Sequence, residues 1–170
     1  MLSDPLPKFY WDSCAWLGFI NKEANKHESL KAIWERAERG ECEIWTSDFV
    51  YIEVHKAKAQ GHDPLRPEES DKRIDAALEQ PFVVRIALDS EVGQFARQLR
   101  RQFPTELRKK GDAIHLASAV HWNADVLYTY DGSHLLPLNG KISRRDGKPL
   151  PITLPPDPMA GTLFEVARGS

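Results

Sequence analysis

The chain has 170 residues and a mass of 19.3 kDa, with 23 Lys and Arg against 25 Asp and Glu and a formal net charge of -2. That length suits one domain, and 41 % hydrophobic with 28 % charged residues excludes an intrinsically disordered chain. The near-neutral balance excludes a uniformly basic coat, so contact with nucleic acid has to come from a local basic patch.

Lys8 to Asp12 is rich in aromatics and stops at an acid, which predicts a short buried strand. Ser13 reads as an N-cap for a short helix over Cys14 to Lys22. Leu30, Ile33, Trp34 and Ala37 recur at helical spacing, so His27 to Arg39 is an amphipathic helix that Gly40 ends. Glu43 to Ser47 is a second strand, and Phe49 to Ala59 turns helical. Residues 60–67 form a loop by their glycine and prolines, and Glu68 to Glu79 is a polar helix. Phe82 to Leu88 is the clearest strand and ends at Asp89. Ser90 reads as the cap of the next helix, which carries Val92, Phe95, Ala96 and Leu99 on its apolar face. Gly111 to Trp122 is a further helix, and Val126 to Tyr130 a strand that ends at Asp131. Short strands alternating with longer helices predict an α/β fold: a three-layer α/β/α arrangement around a central, mostly parallel sheet. The domain is expected over residues 1–140. Residues 141–170 read as an extended, Pro-rich C-terminal arm packing on or trailing it, with a strand at Leu163 to Val166.

Two cysteines, Cys14 and Cys42, have no repeated spacing and read as buried thiols. Residues 1–8 do not resemble a signal peptide, and no apolar run approaches the ~18–20 residues that cross a bilayer. A cytoplasmic protein with no membrane partner is expected.

In open parallel sheets, ligands bind outside the carboxyl ends of the strands. Asp12 and Asp131 end strands, Glu53 lies one turn into the helix after the second strand, and Asp112 opens the helix before the last one. The four acids can therefore meet at one rim. A cluster of carboxylates repels itself and requires a cation, and hard oxygen ligands select Mg2+ or Mn2+ over zinc. The plainer reading is that Asp12 and Asp89 cap helices and that Glu53 and Asp112 are exposed helix acids.

Four segments, Phe9 to Ser13, Thr46 to Val54, Lys110 to Ala119 and Tyr128 to Leu135, resemble the four motifs of PIN domains, and most of all those of VapC-like ribonuclease toxins. The third is the most specific: an acid followed by a helix reading Ile-His-Leu-Ala-Ser-Ala. The resemblance implies that Asp12, Glu53, Asp112 and Asp131 form a catalytic quartet binding Mg2+ or Mn2+. It also implies that Ser13, Ser47 and Thr129 supply hydroxyls that orient carboxylates or water. It further implies an RNA substrate, a VapB-like antitoxin and a homodimer. Gly132, Ser133 and His134 follow Asp131 where the family often has a charged residue.

Among the remaining polar groups, His115 shares a helix face with Asp112, although a packed or surface histidine is the plainer reading. His55 and His62 have no partner at ligand spacing. Arg97, Arg101, Arg108, Lys109 and Lys110 lead into Asp112, and Arg144 and Arg145 follow the last motif; these are the candidate RNA contacts. The five tryptophans fall mostly on strands or apolar helix faces and read as core. The expected activity is metal-dependent endoribonuclease cleavage of RNA phosphodiesters, as the toxin of a toxin–antitoxin pair. The alternatives are a PIN-fold protein that binds RNA or metal with little cleavage, and a nuclease for single-stranded DNA.

Overall fold

Alternation of side chains along β1 (Lys8–Trp11) divides the core in two: Tyr10 points to one face of the sheet, and Phe9 and Trp11 to the other. The same alternation runs through β2 (Glu43–Ser47), β3 (Val83–Ile86) and β4 (Val126–Tyr128). Ile44, Val83, Val126 and Tyr128 face the Trp11 side, whereas Ile86 and Leu127 face the Tyr10 side. The computed structural model describes residues 4–59 and 63–160. Within them a fifth strand, β5 (Ile152–Thr153), completes a sheet in the order β3-β2-β1-β4-β5, every neighbouring pair parallel.

Helices α1 (Ser13–Ile20), α2 (His27–Glu38) and α4 (Pro67–Leu78) cover the Trp11 face, where Trp16, Leu30, Ile33, Ile74 and Leu78 are buried. Trp11 and Trp16 meet edge to face at 5.0 Å, a geometry that adds about 0.5–1.5 kcal/mol beyond area burial. Helices α5 (Ser90–Gln102) and α6 (Lys110–His121) cover the other face with Val92, Ala96, Leu99, Leu116 and Val120. This is the three-layer parallel fold expected from the alternating pattern. Gly40 ends α2 at φ +73°, a left-handed conformation that glycine adopts without a Cβ penalty.

The sequence left two readings of the caps open, and one helix is shorter than expected. Asp12 and Asp89, not Ser13 and Ser90, cap α1 and α5: each side chain accepts the backbone N–H three residues on, from Ala15 and Val92, at 2.9 Å. A carboxylate beats the next residue's hydroxyl at that position because it also favours the positive helix end. The helix expected over residues 49–59 shrinks to one turn, α3 (Val50–Glu53). Past it the chain turns inward to bury Val54 and Ala57, and Ser70 on α4 bonds the Ala57 backbone in place of a helical partner. Within the Pro-rich stretch after Asp131, β5 pairs with β4, and Leu150 and Ile152 are buried. The strand expected at Leu163 to Val166 lies outside the described residues.

Cys14 and Cys42 are free thiols, Cys42 buried and Cys14 partly so. Of the tryptophans, Trp122 is exposed and lies beside Trp45. No described helix is long and apolar enough to cross a membrane.

Candidate metal centre

The four acids reach one rim by four local routes. Asp12 follows β1 directly and is almost fully buried, because capping α1 turns its carboxylate inward. Its Oδ1 accepts from Ala15 N, and its Oδ2 accepts a short hydrogen bond from Thr129 Oγ1. Thr129 also accepts the backbone N–H of Asp131 at 3.0 Å, so one hydroxyl sets the spacing of two acids. Asp131 sits in a turn that it ties itself: Oδ1 accepts from Ser133 N at 3.0 Å and His134 N at 2.9 Å. Asp112 lies in the first turn of α6, beside the positive helix end.

Glu53 comes from the single turn α3. His115 Nε2 lies 2.7 Å from its Oε2, and the other ring nitrogen of His115 lies 2.8 Å from the Tyr10 hydroxyl. The Tyr10 hydroxyl and His115 Nδ1 share one hydrogen bond, and because the Glu53 carboxylate only accepts, Nε2 is the nitrogen that donates to it. Gly111 makes room for this arrangement. A Cβ there would strike Glu53 Oε1 and lie 3.0 Å from Cδ and 3.1 Å from Phe49.

The acids do not titrate alike. Burial pushes Asp112 up to about 6, and the charge of Asp131 adds to the shift against the opposing pull of Lys109 and His134. Burial also raises Asp12, partly offset by Thr129 and His115. For Glu53 burial is outweighed by the His115 hydrogen bond and charge, a Ser13 hydrogen bond and Lys109, and the carboxyl is lowered. Asp131 is lowered too, because the side chain and backbone of His134 and the Ser133 N–H outweigh its burial. Cys14 is pushed up to about 12 by burial and then by Asp12 and Asp131, so it is an inert thiol beside the acids.

The donor set fits a divalent cation. Asp112 Oδ2 is sealed from solvent and has no hydrogen-bond partner, an unfavourable state for a buried carboxylate oxygen. It faces Asp131 and His134, and donor atoms of these three residues lie within 4.8 Å of one another. Asp12 and Glu53 stand outside that tight group.

Thr129 donates to Asp12, and a Ser13 hydrogen bond helps to lower Glu53. Ser47 instead accepts the Phe49 N–H at 3.2 Å and shapes the turn that carries Glu53. Sequence reasoning underrated two histidines, His115 and His134. The signal was present: each lies three residues after an acid of the quartet.

The basic residues divide sharply. Lys109 Nζ lies 3.9 Å from Asp131 Oδ2 with its side chain largely exposed, so it borders the site. Arg108 is exposed in the preceding loop. Arg97, Arg101 and Lys110 line a groove of about 540 Å³ between α5 and α6, together with Ala113 and Ile114. By helical spacing this is the face of α6 turned away from Asp112 and His115. Arg144 and Arg145 are at the wrong end of the molecule to meet the quartet. Arg144 is tied to Asp125, Asp146 and the Ala124 carbonyl at the start of β4, and Arg145 to Val120 O and His121 at the far end of α6. Eight residues of helix separate Asp112 from Val120, about 12 Å.

The PIN domain family model matches residues 9–135, which contain all four acids. The chain belongs to the PIN domain family. Solved structures share the fold at low identity. VapBC2 from Rickettsia felis, bound to a DNA fragment from its promoter, is 17 % identical with a TM-score of 0.54, over 73 % of this chain and 88 % of that one. Mycobacterium tuberculosis VapC20, described as a sarcin–ricin loop cleaving toxin, is 14 % identical with a TM-score of 0.54, over 73 % and 90 %. No curated protein matches the sequence.

Proposed function

We propose that this PIN domain is a metal-dependent endoribonuclease and the toxin of a toxin–antitoxin pair. The observation that carries the reading is the gathering of acids from four separate elements around the start of α6, one with a sealed, unpartnered oxygen. Such a cluster is unfavourable without a cation and suits phosphodiester hydrolysis with one. Family membership and the VapC-type fold neighbours support the same reading.

Asp112 and Asp131 would hold the cation with Asp12, and Glu53 would support a second ion or the attacking water. A bound divalent ion supplies a more acidic water and a Lewis acid for the phosphoryl group. The chain's own residues prepare the rest. Glu53 is lowered and held by His115, so it is ionised at neutral pH and oriented to accept a proton from water. Thr129 fixes Asp12 against Asp131. Lys109 is placed to meet a phosphate at the rim and offset its charge. In-line attack would leave a 5′-phosphate.

The partners would be RNA, a VapB-like antitoxin and a second copy of the chain. The test is RNA-end sequencing after expression of the wild type and Asp12→Asn, which keeps an oxygen to cap α1. Metal-dependent ends should vanish in the variant while its melting temperature stays near wild type. Unchanged cleavage would overturn the assignment. Parallel assays on single-stranded DNA separate the DNA-directed reading, and binding without turnover in Mn2+ marks the non-cleaving one.

A further inference from the structure

His134 is the residue by which this centre departs from an all-oxygen site. We propose that His134 Nδ1 is itself a ligand of the cation, beside Asp112 and Asp131, and that this nitrogen favours first-row transition dications such as Mn2+ over Mg2+. The inference rests on the reading of this rim as a metal centre and adds a ligand and a metal preference to it.

The distances support shared ligation. His134 Nδ1 lies 3.0 Å from both Asp131 oxygens and 3.8 Å from Asp112 Oδ2. Ligands at ~2.0–2.2 Å from an octahedral ion stand about 3.0 Å apart when adjacent and about 4.2 Å when opposite. The 3.0 Å separations match adjacent ligands, and the 3.8 Å separation lies between the adjacent and opposite values.

A plain His–Asp ion pair accounts for less. It would satisfy Asp131, whose Oδ1 already accepts two backbone N–H groups, and leave Asp112 Oδ2 buried without a partner. An ion between the three residues satisfies all of them. The imidazole is also held in place by the backbone: His134 N donates to Asp131 Oδ1, and Leu136 N donates to Asp131 O at 3.0 Å. The turn thus presents the ring to the acids whatever the ring itself bonds.

The chemistry then sets the preference. Mg2+ is a hard ion that takes oxygen and gives up its water reluctantly. Affinity of a mixed nitrogen–oxygen site rises along the first-row series from Mn2+ upward, and imidazole is a ligand that these ions accept. An imidazole in the ligand set therefore costs Mg2+ more than Mn2+.

The test uses the full chain without RNA, so failure of the ribonuclease reading and failure of this one are distinguishable. Mn2+ bound to the wild type should show a 14N coupling in pulsed EPR, and His134→Asn, which offers oxygen instead, should lose it. Calorimetric titration should show Mn2+ affinity falling at least ~10-fold in His134→Asn while Mg2+ affinity changes less than ~3-fold. His115→Gln, altered at the histidine beside Glu53, should keep the coupling. Three results would overturn the assignment: no 14N coupling in the wild type, a coupling that survives in His134→Asn, or equal losses for both ions. The last would mean that His134 only orients Asp131.

Discussion

His115 grips Glu53 from beneath: its Nε2 stands 2.7 Å from Glu53 Oε2, and the ring itself is buried and anchored by Tyr10. The carboxylate that comes from the shortest helix is thus fixed by the most buried one. His115→Leu should cut cleavage by roughly 10–100-fold, the usual cost of removing a group that orients a metal-site carboxylate. His115→Gln, which can still donate to Glu53, should recover part of that loss. Tyr10→Phe should lower stability by about 1–3 kcal/mol, because it leaves a buried ring nitrogen unpaired. Urea titration and single-turnover cleavage assays check the three variants.

Gly111→Ala carries a sharper expectation. In a helix the change normally stabilises by up to ~1 kcal/mol. Here the added methyl collides with Glu53, so the variant should lose both activity and stability. The same substitution in a Glu53→Ala background should be neutral or stabilising. A double-mutant cycle from urea titrations reads the difference directly.

Asp112 makes the metal-free protein pay at neutral pH. Its folded pKa of about 6 stands above the ordinary value of 3.8, so its contribution to stability is complete below 3.8 and is lost as pH rises through 6. Asp112→Asn removes that loss. The metal-free variant should melt above wild type at pH 7, and the gap should narrow as pH falls through 6 and close only near 3.8. Divalent cation should reverse the order at pH 7 by binding the wild type more tightly. Calorimetry with and without Mn2+ at several pH values checks both signs.

Lys109 and Arg144 should separate nucleic-acid contact from structural pairing. Lys109→Ala should weaken RNA binding and reduce the slope of log affinity against log salt by about 1. Arg144→Ala should leave that slope unchanged and lower the melting temperature, because it releases Asp125 and Asp146. Fluorescence anisotropy over a salt series tests the first, and thermal melts the second.

The layered sheet was legible because strand alternation and helical spacing repeat cleanly from Phe9 to Tyr128. So was the placing of the acids, since Asp12 and Asp131 follow strands and Glu53 and Asp112 lie in the first turns of helices. The helix at 49–59 misled because Phe49, Ile52 and Lys56 stand at helical spacing, yet Ile52 is exposed and it is Val54 and Ala57 that are buried, through a turn that Ser70 supports from α4. The i+3 spacing from Asp112 and Asp131 marked His115 and His134, but their further contacts with Tyr10 and Asp112 span 105 and 22 residues, beyond any local pattern. Arg144 looked like a free cation although Asp146, two residues on, pairs with it; the second partner, Asp125, is distant in sequence.

The edge strand β5 has a further consequence. Leu127 pairs with Ile152 and Tyr128 with Thr153, so the outer flank of β4 is supplied by chain made more than twenty residues after it. Until residue 153 has left the ribosome, β4 remains an open edge and the pocket for Leu150 and Ile152 stays unfilled. Asp131 follows directly on from β4. The rim that carries Asp131 therefore cannot take its final shape on a nascent chain that already holds Asp12, Glu53, Asp112 and Asp131, so synthesis past residue 153 has to precede completion of the site.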